Sequence, residues 1–317
     1  MWGAVAPHTA VSGLQVRHGT PLLPRRTHAP THPRSFATRR ALPALGVFAA
    51  AVLVVTGCAS NPGQSSGAET PLTHVHGIVA DPAGEGFLIG THAGIYPTTA
   101  DGDTGARIGP GFDAMGLTAA GDALLASGHP GPDTPAELGT PHLGIIRSMD
   151  RAMTWSPVVF SGEKDFHVLA GTTWNVVYGI ATDNPELLTS TDGGVTWQPT
   201  GSTIPARNVV VDAAERLIAS TPDGLQVSTD AGATFTGWTD APTIALLNTS
   251  PDHQRIVGVD TAGTVWVTGA GESEWVEAGA TSLSVQAVAI TNAGDVLTVD
   301  QTGISPPVPP ASTGSEQ

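Results

Sequence analysis

Seven histidines lie beyond residue 58, and six of them crowd into residues 74–167 in short motifs beside glycines or acids: T-H-V-H-G (His74, His76), T-H-A-G (His92), S-G-H-P-G (His129), T-P-H-L-G (His142) and K-D-F-H (His167). His253 stands apart. Asp113 and Met115 in G-F-D-A-M-G, and Asp165 in K-D-F-H, add two carboxylates and a thioether. Imidazole ligates zinc, copper, nickel and iron, a carboxylate can ligate or orient a ligating ring, and a thioether tilts the choice toward copper. Read this way, His76, His92, His129 and His167 are candidate ligands of a copper or zinc ion, with Asp113 or Asp165 beside them and Met115 as the soft donor. His74 joins the same rings as a candidate ligand-binding residue. No spacing here matches a metal motif such as H-E-x-x-H. The residues alone therefore leave three readings open: a metal site, an organic-ligand site, or rings bonded to backbone groups of turns.

Glycoside hydrolysis is a second chemistry to weigh. It requires two carboxyl groups about 5–10 Å apart across the scissile bond, or a tyrosine nucleophile in the sialidase variant. The candidates near the histidines are Asp113, Glu163 and Asp165, while the two tyrosines, Tyr96 and Tyr178, read as packed strand residues. The stretch His129–His142 (H-P-G-P-D-T-P-A-E-L-G-T-P-H) is longer than a turn requires. Such a loop either covers a site or is a tolerated surface insertion.

What must position these residues is an internal repeat. Ser148-Met149-Asp150-Arg151-Ala152-Met153-Thr154-Trp155, Ser190-Thr191-Asp192-Gly193-Gly194-Val195-Thr196-Trp197 and Ser228-Thr229-Asp230-Ala231-Gly232-Ala233-Thr234-Phe235 align on S-x-D-x-G-x-T-W, spaced by 42 and 38 residues. This pattern resembles the Asp-box, or BNR repeat, of sialidase-type β-propellers, where it forms the hairpin between the third and fourth strands of a blade. The resemblance implies structural roles for Asp150, Asp192 and Asp230, which accept hydrogen bonds across the turn, and for Trp155, Trp197 and Phe235, which pack between blades. Glycine supplies the positive φ of the turn.

Aligned on those turns, residues 72–305 fall into six units of about 40 residues, the size of a propeller blade. Inner strands are expected at 74–82, 113–120, 166–171, 208–212, 244–250 and 285–291. Thirty-nine glycines and 26 prolines fit an all-β chain of tight turns. The expectation is a six-bladed β-propeller of four-stranded antiparallel blades. Residues 68–73 are expected to supply the missing outer strand of the sixth blade, and 306–317 to form a disordered tail. In that topology the six histidines share one face and the S-x-D-x-G-x-T-W turns occupy the other.

Charge is split along the chain. Residues 1–57 carry six arginines and no acid, a charge of +6, whereas the remainder sets seven cations against 28 acids, a charge of −21. A domain this acidic excludes a nucleic-acid partner. Residues 41–57 (ALPALGVFAAAVLVVTG) follow Arg39-Arg40 as a short apolar run and end at Cys58, the single cysteine. Such a run has the shape of a signal-peptide core. Val55-Thr56-Gly57-Cys58 resembles the bacterial lipobox, which implies lipidation of Cys58, and Thr38-Arg39-Arg40 resembles a loose twin-arginine signal. Residues 1–57 are thus expected to be a signal peptide with an over-long start, and 58–71 a lipidated cysteine and flexible tether. The expected place is outside the cytoplasm, anchored to the outer face of the cell membrane, and the ligand is a small molecule, a glycan or a protein.

Beyond the repeat, T-H-V-H-G-I, G-T-H-A-G-I-Y, D-A-M-G-L-T, L-A-S-G-H-P-G, L-G-I-I-R-S and S-G-E-K-D-F-H resemble a family of actinobacterial and Bacillus lipoproteins grouped with glycosylhydrolases of the BNR/sialidase-like type. The resemblance spans about residues 72–240, and the remainder follows by repeat pattern. It implies a sialidase-like propeller, although Asp-boxes also occur in propellers that hydrolyse nothing. Sialidases clamp the substrate carboxylate with three arginines. Here Arg107, Arg147, Arg151, Arg207, Arg216 and Arg255 are the arginines beyond residue 58, and none lies in such a motif. The sequence therefore favours a binding module, with hydrolysis of a neutral sugar or copper and zinc handling as alternatives.

Overall fold

The computed structural model describes residues 72–84 and 86–309, so the expected signal segment, Cys58 and the tether to residue 71 lie outside the described residues. The described chain is all-β apart from one short 3-10 turn, Ala136–Leu138. Six antiparallel sheets follow in sequence order, each beginning with its inner strand: Val75–Ala80, Phe112–Ala120, Phe166–Gly171, Asn208–Val211, Ile244–Thr249 and Ala287–Ile290. Each inner strand contacts the next, and the first meets the last, so the six blades close a ring.

Burial explains the strand order within a blade. Second strands such as Phe87–Thr91, Val177–Ala181 and Leu217–Thr221 are buried on both faces and made of apolar, small or β-branched residues. The outer strand Gln198–Thr203 is polar and mostly exposed. The core lies between blades: Leu88 and Ile95 of blade 1 pack with Phe112, Leu124 and Ile146 of blade 2. Leu72, Val75 and Phe87 pack with Ala287, Leu297 and Val299, sealing blade 1 to blade 6.

The three repeated turns join third to fourth strands of blades 2, 3 and 4 and share one hydrogen-bond pattern. In blade 3 the Ser190 hydroxyl donates to Asp192 Oδ1 at 2.8 Å and accepts from Gly194 N at 2.8 Å. Thr196 N and its hydroxyl donate to the two Asp192 oxygens at 2.9 and 2.7 Å. Asp150 and Asp230 hold Thr154 and Thr234 in the same way. Ala152 takes the position of Gly194 and Gly232, at φ 66° against 88° and 85°. Trp155 meets Phe112 edge-on at 5.4 Å, Trp197 lies 5.4 Å from Phe166, and Phe235 packs on the core between blades 3 and 4.

Two details of closure differ from the sequence expectation. Among the described residues, blades 1 and 6 have three strands rather than four. Blade 1 is extended by isolated pairings, Ile95 with Ile108 and Thr98 with Thr104. Residues 72–73 form no strand on blade 6; Leu72 instead closes the ring by apolar burial, and 68–71 lie outside the described residues. Beyond Ser305 the chain is still fixed at Val308, which exchanges both backbone hydrogen bonds with Ala280 of blade 5 at 2.8 Å. The prolines around it restrict the backbone, and Val308 has the N–H they lack. Residues 310–317 lie outside the described residues.

Hydrogen bonds to Thr196 and Ser190 draw the Asp192 carboxyl down to about 2, and those to Thr234 and Ser228 do the same for Asp230. Both folded-state values lie below the unfolded one of about 3.9, so their stabilisation is complete above that pH and disappears as the pH falls through about 2. Urea midpoints of the natural chain should accordingly exceed those of an Asp192→Ala, Asp230→Ala double variant at pH 6, with the gap narrowing below pH ~4. A gap that persists unchanged at pH 2 would contradict this account.

Candidate functional site

The starts of the first three inner strands each carry a β-bulge: between Val75 and Gly77, between Asp113 and Gly116, and between Phe166 and Val168. A bulge leaves one residue outside the ladder and re-aims its side chain. In blades 1 and 3 those residues are His76 and His167. In blade 2, Asp113 is the cross-strand partner of His129. Gly128, at φ 141°, makes that pairing possible, because a Cβ there would overlap the Asp113 carbonyl. His92 sits in the hairpin loop of blade 1, where the Thr91 hydroxyl donates to Gly94 O at 2.9 Å and accepts from Ala93 N at 3.1 Å.

These elements bring the histidines around two carboxylates. Asp113 has His76 Nε2 at 2.9 Å, His92 Nδ1 at 3.1 Å and His129 Nδ1 at 3.4 Å. Asp165 has His167 Nε2 at 2.7 Å and His129 Nε2 at 3.3 Å. The pairs His129–Asp113 and His167–Asp165 are hydrogen bonds. His76 Nε2 and Asp113 Oδ1, although 2.9 Å apart, are both buried without a hydrogen-bonding partner, so their approach lacks hydrogen-bond alignment. Asp165 is 4% exposed, and its Oδ1 likewise has no hydrogen-bonding partner. A buried polar group left unpaired costs about 1–3 kcal/mol. Burial opposes ionisation of Asp113, but the close approach and charge of His76, then the charge of His92 and the bond of His129, outweigh it and hold the carboxyl below the ordinary aspartate value.

Among the described residues, two groups place ligand atoms within 4.8 Å of one another: His76, His92 and Asp113, and His129, His142 and Asp165. Of the sequence candidates, His76, His92, His129, His167, Asp113 and Asp165 are therefore assembled. His74 is exposed at the edge, its ring 6.2 Å from that of His92. Met115 lines a central cavity of about 180 Å³ together with His76 and His167. Glu163 is exposed and belongs to neither group. His142 is the residue that the sequence-derived ligand set omits. Its ring lies 5.4 Å from that of His129, and the signal was its place at the closing end of the insert that His129 opens.

The insert is fastened to the body. Leu138 and Leu143 are fully buried in the core between blades 1 and 2. Thr134 Oγ1 donates to Gly111 O at 2.5 Å, Gly111 N donates to Asp133 Oδ1 at 3.0 Å, and Asp133 pairs with Arg107 at 2.5 Å.

No family model matches the chain, and no curated protein matches it. Solved structures do. A putative gluconolactonase shares 12% identity over 74% of this chain and 88% of its own, with a TM-score of 0.55. YCF48 from Cyanidioschyzon merolae shares 13% over 64% and 69%, with a TM-score of 0.40. A GH74 enzyme from Niastella koreensis shares 15% over 72% and 34%, with a TM-score of 0.44, so the alignment spans about a third of that enzyme. Likeness at such identities concerns the fold alone.

The buried leucine of the insert gives a direct check. Leu138→Ala should lower unfolding free energy by about 2–5 kcal/mol, as for other buried leucines, in urea denaturation. A loss under about 0.5 kcal/mol would mark the insert as a surface appendage.

Proposed function

We propose that this chain is a lipid-anchored, extracytoplasmic binding propeller, allied to the BNR/Asp-box sialidase-like group, whose histidine-rich rim holds a first-row transition ion, zinc or copper. The observation that carries this reading is the convergence of imidazole nitrogens on Asp113 and Asp165 at contacts that leave buried polar atoms without hydrogen-bond partners. A cation seated in either group would give the unpaired atoms of that group a partner, and an N/O donor set suits zinc and copper. Met115, in the adjoining cavity, offers a soft donor if the ion is copper. The lipobox-like residues ending at Cys58, the apolar run before them and the acidic domain support the anchor and the absence of a nucleic-acid partner.

Hydrolysis of a neutral sugar is less well supported. A glycosidase acid needs a raised pKa, whereas Asp113 is held low, and Asp165 is buried against His167. Turnover of a neutral glycoside that is abolished by Asp113→Ala would reverse this preference.

Because an ion that binds the folded state raises apparent stability, zinc or copper at a hundredfold excess over its Kd should add about 2.7 kcal/mol, or roughly 5–10 °C in Tm. His92 is exposed enough (69% of its side chain) for His92→Ala to leave folding intact, and the variant should show a smaller shift. Metal-free protein after incubation with either ion, with an unchanged Tm, would refute the site. Separately, Cys58→Ala should move the protein from the membrane to the soluble fraction; retention in the membrane would refute the anchor.

A further inference from the structure

His129 stands between both carboxylates, with Nδ1 3.4 Å from Asp113 Oδ2 and Nε2 3.3 Å from Asp165 Oδ2. A neutral imidazole has one N–H and one lone pair. It can therefore donate to one carboxylate only, and its lone pair must then face the other anionic oxygen. A doubly protonated ring would resolve this by donating to both, but only the Nδ1 contact has hydrogen-bond alignment. On the unaligned side, Asp165 is 4% exposed with Oδ1 unpartnered, and Nδ1 of His142 is likewise buried without a hydrogen-bond partner. The atoms within reach there are those of His129, His142 and Asp165, with His167 Nε2 2.7 Å from Asp165 Oδ2. On the other side stand His76, His92 and Asp113.

Building on the metal-site reading above, we propose that the rim is a two-ion centre: one ion held by His76, His92 and Asp113, a second by His142, His167 and Asp165, and the His129 ring shared between them. Each ion then has imidazole nitrogens and one carboxylate, a donor set suited to zinc or copper(II). Ligation through both ring nitrogens sends the remaining His129 ring proton to solvent. The insert, which delivers His142, thereby becomes part of the second site.

The test uses the full-length chain in detergent, stripped of metal and titrated with zinc or copper(II). Native mass spectrometry of the unmutated chain should show two successive additions, and elemental analysis two equivalents per chain. His76→Ala and His142→Ala should each retain one equivalent. With copper(II), the unmutated chain should give a magnetically coupled spectrum in electron paramagnetic resonance, and each variant the signal of an isolated ion. Saturation of the unmutated chain at one equivalent overturns the two-ion proposal and leaves the metal-site reading standing. No bound ion in the unmutated chain overturns both. Two equivalents without magnetic coupling overturn the shared His129.

Discussion

Blades 2 and 3 meet backbone to backbone, and the rest of the rim depends on that approach. A Cβ on Gly116 would overlap the carbonyl of Phe166, and one on Gly171 would overlap the carbonyl of Ala119. With side chains absent, hydrogen bonds cross the gap: Phe166 N donates to Ser127 Oγ at 2.9 Å and Gly171 N to Thr118 Oγ1 at 2.8 Å. The first of these lies two residues before His129 and one after Asp165. It ties His129 of blade 2 to Asp165 of blade 3, while strand pairing within blade 2 sets His129 opposite Asp113.

The rim illustrates how a propeller concentrates charge that no single blade could hold. Asp113 lies at the start of the inner strand of blade 2, one residue after Phe112, yet two of the rings facing it come from blade 1. Asp165 precedes the inner strand of blade 3 and faces a ring from blade 2. Each carboxylate thus sits at a joint between blades, where burial raises the energy of an unpaired ion and makes its partners consequential. On the opposite face, the turn carboxylates are largely in solvent and find their donors locally. Asp150, Asp192 and Asp230 find their donors within four residues, so those turns are held by local bonds.

Much of this was legible in the sequence. The 42- and 38-residue spacings of S-x-D-x-G-x-T-W carried the blade period, and the inner strands expected from it fall within two residues of those observed at both ends. The shared face of six histidines was legible from strand order. What misled was the ends of the ring: Val308 pairs with blade 5, and blade 6 has three described strands, because pairing at an edge is decided by which backbone donors arrive there rather than by any side-chain pattern. His142 was undervalued because its neighbours in sequence, Pro141 and Leu143, give no hint that its ring stands 5.4 Å from that of His129.

By itself the sequence determined the period, the number of blades and the side of the ring on which the imidazoles fall, since a repeated pattern is visible along the chain whatever its separation, and the local geometry of the three repeated turns, which depends on residues at most a few positions apart. Only the tertiary structure decided which carboxylate each ring faces, that His129 serves two of them, and that the insert delivers a further ring. Those relations are fixed by bulges and close backbone approaches between different blades, and residues distant along the chain acquire a common distance only when the ring closes.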